Sequence, residues 1–373
     1  MNESSEGIDA AVAQAEASLE HGEPLSAYNA AQQGLALAPA HPRLRQLQAL
    51  ALARSGDTAR ANAMLAALAR EGFDDAETLG MLARTHKDLA IASHDPASRK
   101  LHLDEGFKLY EGAYERARRE RRNDAAWYTG INAATLAILR GDARRGRKIA
   151  SQVRDICLAA ESPYEKPSER YWREATLGEA ALILGDTAAA IDHYARARAV
   201  AGRRFGDISS TRKQARLLCE HVRAEGFDVN AILAMPPIVI FTGHMIDPPG
   251  RGAARFPASL EPVVAEAIRK CIRQLAPIAA YGSAACGVDI LCLEAAREAG
   301  AETHVVLPFP AAAFHAASVD FAGGDWPARF EKALAEATSV TVASDHHARG
   351  STATFEYANV MLTGMGTLRA QVL

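Results

Sequence analysis

The residues with the clearest chemical potential form a small-residue run, Tyr281-Gly-Ser-Ala-Ala-Cys-Gly-Val-Asp289, between a strand-like and a helical segment. A short loop of this kind presents backbone N–H groups at a helix N-terminus, where partial positive charge favours a phosphate. We therefore predict that a nucleotide or nucleotide-like ligand binds at Gly282, Ser283, Ala284, Gly287 and Asp289.

Three further loops are expected at the same edge of a sheet, because ligands of parallel sheets bind beyond the carboxyl ends of the strands. Arginines in the first of them suit bidentate binding of a second phosphate or a carboxylate. Phe309 and Phe314, in another, are candidates for stacking on a base. The remaining predicted binding residues are Gly243, Arg251, Arg255, Arg329, Gly350, Ser351, Thr352 and Glu356.

The elements that must position these loops alternate between strand and helix patterns from residue 238 onward. Such alternation implies a parallel sheet with helices on both faces, in a Rossmann-like arrangement. A long loop is expected between residues 307 and 326. Strands are predicted at 238–242, 278–281, 303–307 and 340–343, and helices at 259–275, 288–299, 326–337 and from about 352.

Residues 7 to about 225 are instead rich in Ala, Leu, Arg and Glu at helical spacing. Helices are predicted to break at four Gly-acid pairs, and the first two pairs are 34 residues apart, which is the period of the tetratricopeptide repeat. We predict an α-solenoid of about five irregular helix pairs, with an insertion around 93–100. The four pairs are Gly22-Glu23, Gly56-Asp57, Gly141-Asp142 and Gly185-Asp186.

The predicted fold class is thus an α-solenoid of tetratricopeptide-like helix pairs followed by an α/β Rossmann-like domain with a parallel sheet. Pro236-Pro237 and the change in composition around it place the boundary. The helical repeat domain is expected over 1–228, a linker over 229–237, and the ligand-binding domain over 238–373.

Charge and composition restrict the partners. The net charge of −3 argues against a nucleic-acid binder. The basic run at 116–122 is interpreted as a solvated helix face, with a docking surface as the alternative. The chain begins without a signal-peptide pattern, and no apolar run is long enough to cross a membrane. With five scattered cysteines that lack metal-ligand spacing, we expect a cytoplasmic protein with free thiols and no metal site.

Three strings in the helical region resemble the TRAFs-binding domain first described in MAP-kinase-kinase-kinases of the apoptosis-signalling type. They lie at 77–88, 110–114 and 127–136, and the resemblance covers roughly residues 70–225. It implies a regulatory scaffold with a protein partner on the repeat surface. Packing between helices is the alternative role for Trp127, Tyr128 and Asn132.

Residues 236–373 resemble the SLOG superfamily of nucleotide-binding Rossmann-like domains. The DNA-processing protein A branch carries a loop S-G-x-A-x-G-I-D, and here Ala285, Gly287 and Asp289 are in register with it while its first two letters are transposed. The phosphoribohydrolase branch carries G-G-x-G-T-x-x-E, and the segment 350–356 lacks the paired glycines. The resemblance therefore implies nucleotide binding and puts hydrolysis in doubt.

Two functions follow from these patterns. The first is a non-catalytic regulatory protein that senses a nucleotide-derived ligand through its C-terminal domain and holds a protein partner on its repeats. The alternative is a hydrolase of a nucleotide N-glycosidic or phosphate bond, for which Asp289 and Glu356 are the candidate bases. Both carboxylates also suit helix capping, so no catalytic residue is assigned and no turnover is expected. Whether the chain forms a homodimer is left open.

Overall fold

The computed structural model describes residues 3–160, 162, 165–346 and 352–373. The chain divides into two compact units, residues 1–235 with 372–373 and residues 236–371. We call them the helical unit and the sheet unit. The helical unit contains α1 (Glu3–His21), α2 (Pro24–Leu37), α3 (Pro42–Arg54), α4 (Thr58–Arg70), α5 (Ala76–Ala92), α6 (Pro96–Arg119), α7 (Asn123–Leu139), α8 (Ala143–Ala159), α9 (Pro167–Leu184), α10 (Thr187–Val200), α11 (Phe205–Cys219) and α12 (Val229–Ile232).

Successive helices α1 to α10 pack against one another, giving five helix pairs of the tetratricopeptide type, as the sequence predicts. Three of the predicted breaks also have the expected local structure. In Gly56-Asp57, Gly141-Asp142 and Gly185-Asp186, the glycine φ is 102°, 85° and 84°, a conformation that glycine adopts without a steric penalty. The aspartate then accepts a backbone N–H of the next helix as its N-cap.

Two segments differ from the sequence-based expectation. The insertion expected around 93–100 is a short turn, because Asp95 caps α6 and Pro96 begins it. The segment expected as a linker carries α12, which packs against α10 and α11. Its neighbour Leu233 is fully buried. Apolar packing thus ties this segment to the helical unit.

The sheet unit is built on four parallel strands in the order β1-β2-β3-β4. Among the described strands this order has no reversal, so the topological switch point of a doubly wound sheet is not present in them. A four-stranded parallel sheet is therefore established, and the Rossmann-like description stays a prediction. The elements are β1 (Ile238–Ile240), α13 (Glu261–Leu275), β2 (Ala279–Gly282), α14 (Val288–Glu298), β3 (Glu302–Leu307), α15 (Ala311–Ser318), α16 (Trp326–Ala335), β4 (Ser339–Val342) and α17 (Ala353–Val372).

Helices cover both faces of the sheet. The main core joins Val305 and Leu307 of β3 to apolar side chains of α13, α14 and α16. On the opposite face, Tyr281 and His304 stack with ring centroids 4.4 Å apart. Helix α17 lies over that face, where Arg369 donates to Glu302 at 2.7 Å.

The segment between β3 and α16 corrects one expectation. Instead of a long loop it contains α15, which was missed because it is short and follows Pro308-Phe-Pro310. Phe309 and Phe314, expected to stack on a base, are both buried in the core. Neither ring can therefore face a ligand, and the base-stacking expectation is wrong.

Candidate functional site

The loop after β1 and the loop after β2 are joined directly by backbone hydrogen bonds. Met245 and Gly287 form an isolated antiparallel bridge. The Ile246 N–H donates to the Cys286 carbonyl oxygen, and the Val288 N–H donates to the His244 carbonyl oxygen, both at 3.1 Å. These N–H groups are therefore used to join the two loops, which we call the pinned loops (243–247 and 283–287).

The glycines of the pinned loops are required by this close approach. Gly287 has a φ of 111°, and a Cβ there would lie 2.6 Å from the His244 carbonyl oxygen. A Cβ on Gly243 would collide with the Val288 side chain, and one on Gly282 would collide with the Phe241 ring. Packing within the unit thus accounts for all three glycines without a ligand.

Asp289 lies in the first turn of α14 and is buried. Its carboxylate accepts the Ala285 N–H at 3.3 Å, and the Gly243 backbone also hydrogen-bonds to it. Burial raises the pKa of Asp289 to about 7, and the two backbone hydrogen bonds offset only part of that rise. The group therefore exists in both protonation states near neutral pH.

Two hydroxyl groups near the strand ends are buried without a hydrogen-bond partner in the described part of the chain. They are the Oγ of Ser283 and the Oγ1 of Thr354, in the first turn of α17. Buried hydroxyl groups nearly always have a partner, so each is a candidate for bonding to water or a ligand. Ala284, beside Ser283, is fully buried and packs in the core.

A cavity of about 250 Å³ borders the first pinned loop. It is lined by His244, Met245, Ile246, Pro248, Arg251, Arg255 and Phe321. Asp247 organises the arginine-bearing segment, since its Oδ2 accepts the N–H groups of Arg255 and Phe256 at 2.8 and 2.9 Å. The structure thus brings Arg251 and Arg255 to the loop that carries Gly243.

The two arginines of this cavity differ in their partners. The Arg251 guanidinium lies 3.4 Å from the Asp247 carboxylate and donates to the Ala253 carbonyl oxygen. The exposed Arg255 guanidinium has no carboxylate partner among the described residues. Arg255 is therefore the cation best placed to meet an anion here.

Arg329 does not belong with these residues. Its guanidinium binds Glu261 at 2.6 Å and Glu294 at 2.7 Å and lies over the Trp326 ring at 4.1 Å. Although burial lowers its pKa, the hydrogen bonds that it donates to the two glutamates raise that pKa above its ordinary value. This arginine joins α13, α14 and α16. Because its donors are occupied, it is not a ligand-binding residue of the site.

The last predicted loop is placed only in part. Gly350 and Ser351 lie outside the described residues. Thr352 and Glu356 are exposed, and the Thr352 hydroxyl donates to the Glu356 carboxylate at 3.1 Å. This contact is a local interaction of the first helical turn and supplies no buried base.

The helical unit contains a larger cavity that the sequence analysis missed. It has a volume of about 500 Å³ and is lined by residues of α3, α4, α5 and α11. Its cationic side chains are Arg54, Arg84, Lys87, Lys213 and Arg216. No local pattern could reveal it, because these residues are spread over more than 160 positions.

The residues singled out on the repeat surface have structural partners. Tyr128 makes an edge contact with Tyr110, and the Asn132 side chain donates to the Tyr128 carbonyl oxygen. Arg145 pairs with Glu111 at 2.6 Å.

All five cysteines are free. In the described part of the chain, no helix has the length and apolar character needed to cross a membrane.

The match to a family model supports the tetratricopeptide assignment of part of the helical unit. Residues 12–137 match the family model described as Tetratricopeptide Repeats-Sensor. A crystal structure of a thermophilic tetratricopeptide-repeat protein from Thermus thermophilus is similar, with 15% identity, a TM-score of 0.43, and coverage of 57% of this chain and 99% of that one. No curated protein matches the chain significantly.

Proposed function

We propose that this protein is a non-catalytic regulator in which the helical unit serves as a protein-interaction scaffold and the sheet unit senses a nucleotide-derived ligand. A tetratricopeptide-type array is suited to holding a protein partner, because stacked helix pairs present an extended surface. The description of the matching family model, a repeat sensor, supports a regulatory role for residues 12–137.

The proposal that the sheet unit binds a ligand rests on the cavity beside the pinned loops. His244, Met245 and Ile246 both line this cavity and make the hydrogen-bonded junction with the second loop. Arg255 offers it a guanidinium without a carboxylate partner in the described residues. A phosphate-bearing ligand at Arg255 would therefore contact a loop that is hydrogen-bonded to the start of α14. That coupling is the physical basis of a sensor.

The contacts of the two candidate bases and of Arg329 argue against the hydrolase alternative. A hydrolase needs a base, a charge-stabilising cation and a fixed water in one dry site. Glu356 is exposed and bonded to Thr352, and Arg329 is held by two glutamates. The carboxylate of Asp289 is directed to backbone N–H groups. These contacts favour binding without turnover.

Ligand binding is tested by thermal-shift and calorimetric titration of the full chain with AMP, ATP and 3′,5′-cyclic AMP. We expect at least one of them to stabilise the protein and Arg255→Gln to weaken its binding about tenfold, because a charge-assisted hydrogen bond is lost. The matched control is Arg273→Gln, which removes an exposed arginine from α13. Equal binding by wild type and Arg255→Gln would refute the assignment of the site.

Turnover is tested separately by incubating the protein with NAD, ATP, AMP and other nucleoside 5′-monophosphates and separating the products by chromatography. We expect no product. Product that forms with wild type and is lost in Glu356→Gln or Asp289→Asn would establish the hydrolase instead.

A further inference from the structure

The large cavity of the helical unit has an excess of positive charge. Its lining includes five cationic side chains, contributed by α3, α5 and α11, and two acidic ones, Asp88 and Glu220. We refer to it as the cationic cavity, defined by Arg54, Arg84, Lys87, Lys213 and Arg216. Its volume of about 500 Å³ falls within the usual range for small-molecule sites, about 300–1,000 Å³.

The innermost cations of this cavity are held mainly by neutral groups. The Arg54 guanidinium donates to the Leu19 carbonyl oxygen at 2.5 Å. The Lys87 ammonium, on a residue that is only 8% exposed, donates to the Gln214 amide oxygen at 2.6 Å. Neutral acceptors satisfy hydrogen bonding but leave the positive charge in place.

Arg84 lines the same cavity and is also weakly paired. It donates to the Ser210 hydroxyl at 3.3 Å, and its nearest carboxylate, that of Asp88, is 4.0 Å away. Two buried acids lie near the cluster. Asp207 acts on Arg54 but is paired with Arg204 at 2.5 Å. Glu179 accepts at 2.7 Å from Gln214, which itself accepts from Lys87. Among the described residues, Arg84 and Lys87 thus have no carboxylate closer than the 4.0 Å contact of Arg84 with Asp88.

The cations destabilise one another's charged forms. Burial, and then the charge of Arg84, lower the pKa of Arg54 to about 10, and the charge of Asp207 offsets only part of this. Burial also lowers the pKa of Lys87, and the charge of Arg84 lowers it further. The charges of Asp88 and Glu179 act in the opposite direction and offset only part of this. Like charges in a partly desolvated cavity are costly unless an anion joins them.

We propose that the cationic cavity of the helical unit is a second binding site, specific for a small molecule that carries two or more phosphate groups. A compact polyanion matches three observations: the cavity volume, the convergence of guanidinium and ammonium groups from three helices, and the neutral hydrogen-bond acceptors of Arg54, Arg84 and Lys87. Guanidinium groups bind phosphate oxygens in bidentate geometry. The site lies within the repeats and is independent of the Arg255 cavity.

The test uses the full chain and two probes, inorganic pyrophosphate and ATP, each titrated by calorimetry without a divalent metal. Wild type is expected to bind at least one of them. Arg84→Gln is expected to weaken that binding about tenfold or more, and Arg84→Lys, which keeps the charge, to retain most of it. The matched control, Arg119→Gln, removes an exposed arginine from the last turn of α6 and should bind like wild type.

Lys213→Gln is a second variant, at an exposed residue of α11. It keeps the proposal testable if Arg84→Gln does not fold. Absence of binding by wild type, or undiminished binding by both Arg84→Gln and Lys213→Gln, would overturn it. An equal loss in Arg119→Gln would show non-specific attraction and would also overturn it. Tighter binding of a glutamate-rich peptide than of either probe would assign the cavity to a protein segment.

Arg255→Gln separates this proposal from the proposed function. Loss of the pyrophosphate or ATP signal in Arg255→Gln, with no change in Arg84→Gln, would place the polyanion in the sheet unit and refute the second site. Loss confined to Arg84→Gln and Lys213→Gln supports the second site whether or not the Arg255 cavity binds a nucleotide.

Discussion

Asp289 shows how a single buried side chain can make this protein respond to pH. The carboxylate accepts hydrogen bonds from the backbones of both pinned loops, which lower its pKa. Burial has the larger effect and raises the pKa to about 7. An acid with a raised pKa in the folded state binds its proton more tightly there than in the unfolded chain. The contribution of Asp289 to the free energy of unfolding should therefore fall as the pH rises.

The pH range of this effect follows from the two pKa values of Asp289. The unfolded value is near 3.9, and the folded value is about 7. The contribution of Asp289 to the free energy of unfolding is most favourable at pH values below the unfolded pKa. As the pH rises from there to pH 7, this contribution falls progressively, by about 4 kcal/mol in total. We expect Asp289→Asn to remove this dependence and to be more stable than wild type at pH 8 but not at pH 4.

Urea unfolding of the full chain at several pH values measures this difference. The control is Asp325→Asn, which removes an exposed carboxylate of the same unit. If wild type and Asp289→Asn lose stability in parallel between pH 5 and pH 8, the carboxylate does not carry a raised pKa.

The pinned loops illustrate how far glycine patterns can be interpreted from sequence. The run at 281–289 correctly predicts a strand, a tight connection and a helix, because those features depend on local chemistry. The pattern could not show that backbone N–H and carbonyl groups of this connection form hydrogen bonds with a loop about 40 residues earlier. The same limitation applies to Arg329, whose glutamate partners lie 35 and 68 residues away.

Substitution of Gly287 is expected to destabilise the sheet unit. Gly287→Ala places a Cβ against the His244 carbonyl oxygen at a φ of 111°, which should cost roughly 2 kcal/mol or more. The control is Gly252→Ala, at an exposed position whose Cβ would meet no atom within 4 Å. Thermal melting compares them, and equal melting temperatures would contradict the role assigned to the bridge. A bulky residue at Gly287 is therefore unsuitable for testing ligand binding alone.

The two units of the whole molecule should be separable. Most contacts in the helical unit are between neighbouring helices, as in repeat proteins that are stabilised locally. We expect a fragment of residues 1–235 to show helical circular dichroism and a cooperative melt. A fragment of residues 1–228 should be less stable by roughly 2–4 kcal/mol, because it lacks the buried Val229 and Leu233 side chains.

An insoluble or non-cooperative 1–235 fragment would show that the helical unit depends on the rest of the chain. Equal melting of the two fragments would show that α12 contributes nothing. We expect an isolated fragment of the sheet unit to be less stable than the helical fragment, since its sheet is small and two of its four strands are edges.

The strand order β1-β2-β3-β4 also has a consequence for how the sheet unit is made during translation. Each new strand pairs only with the one synthesised just before it, so the sheet can grow at one edge as the chain leaves the ribosome. The sheet face that contains Ile240, Tyr281 and His304 is the last to be covered during synthesis. Helix α17 covers it, and α17 follows all four strands in the chain. A nascent chain that pauses before α17 exposes this face to chaperones and to aggregation.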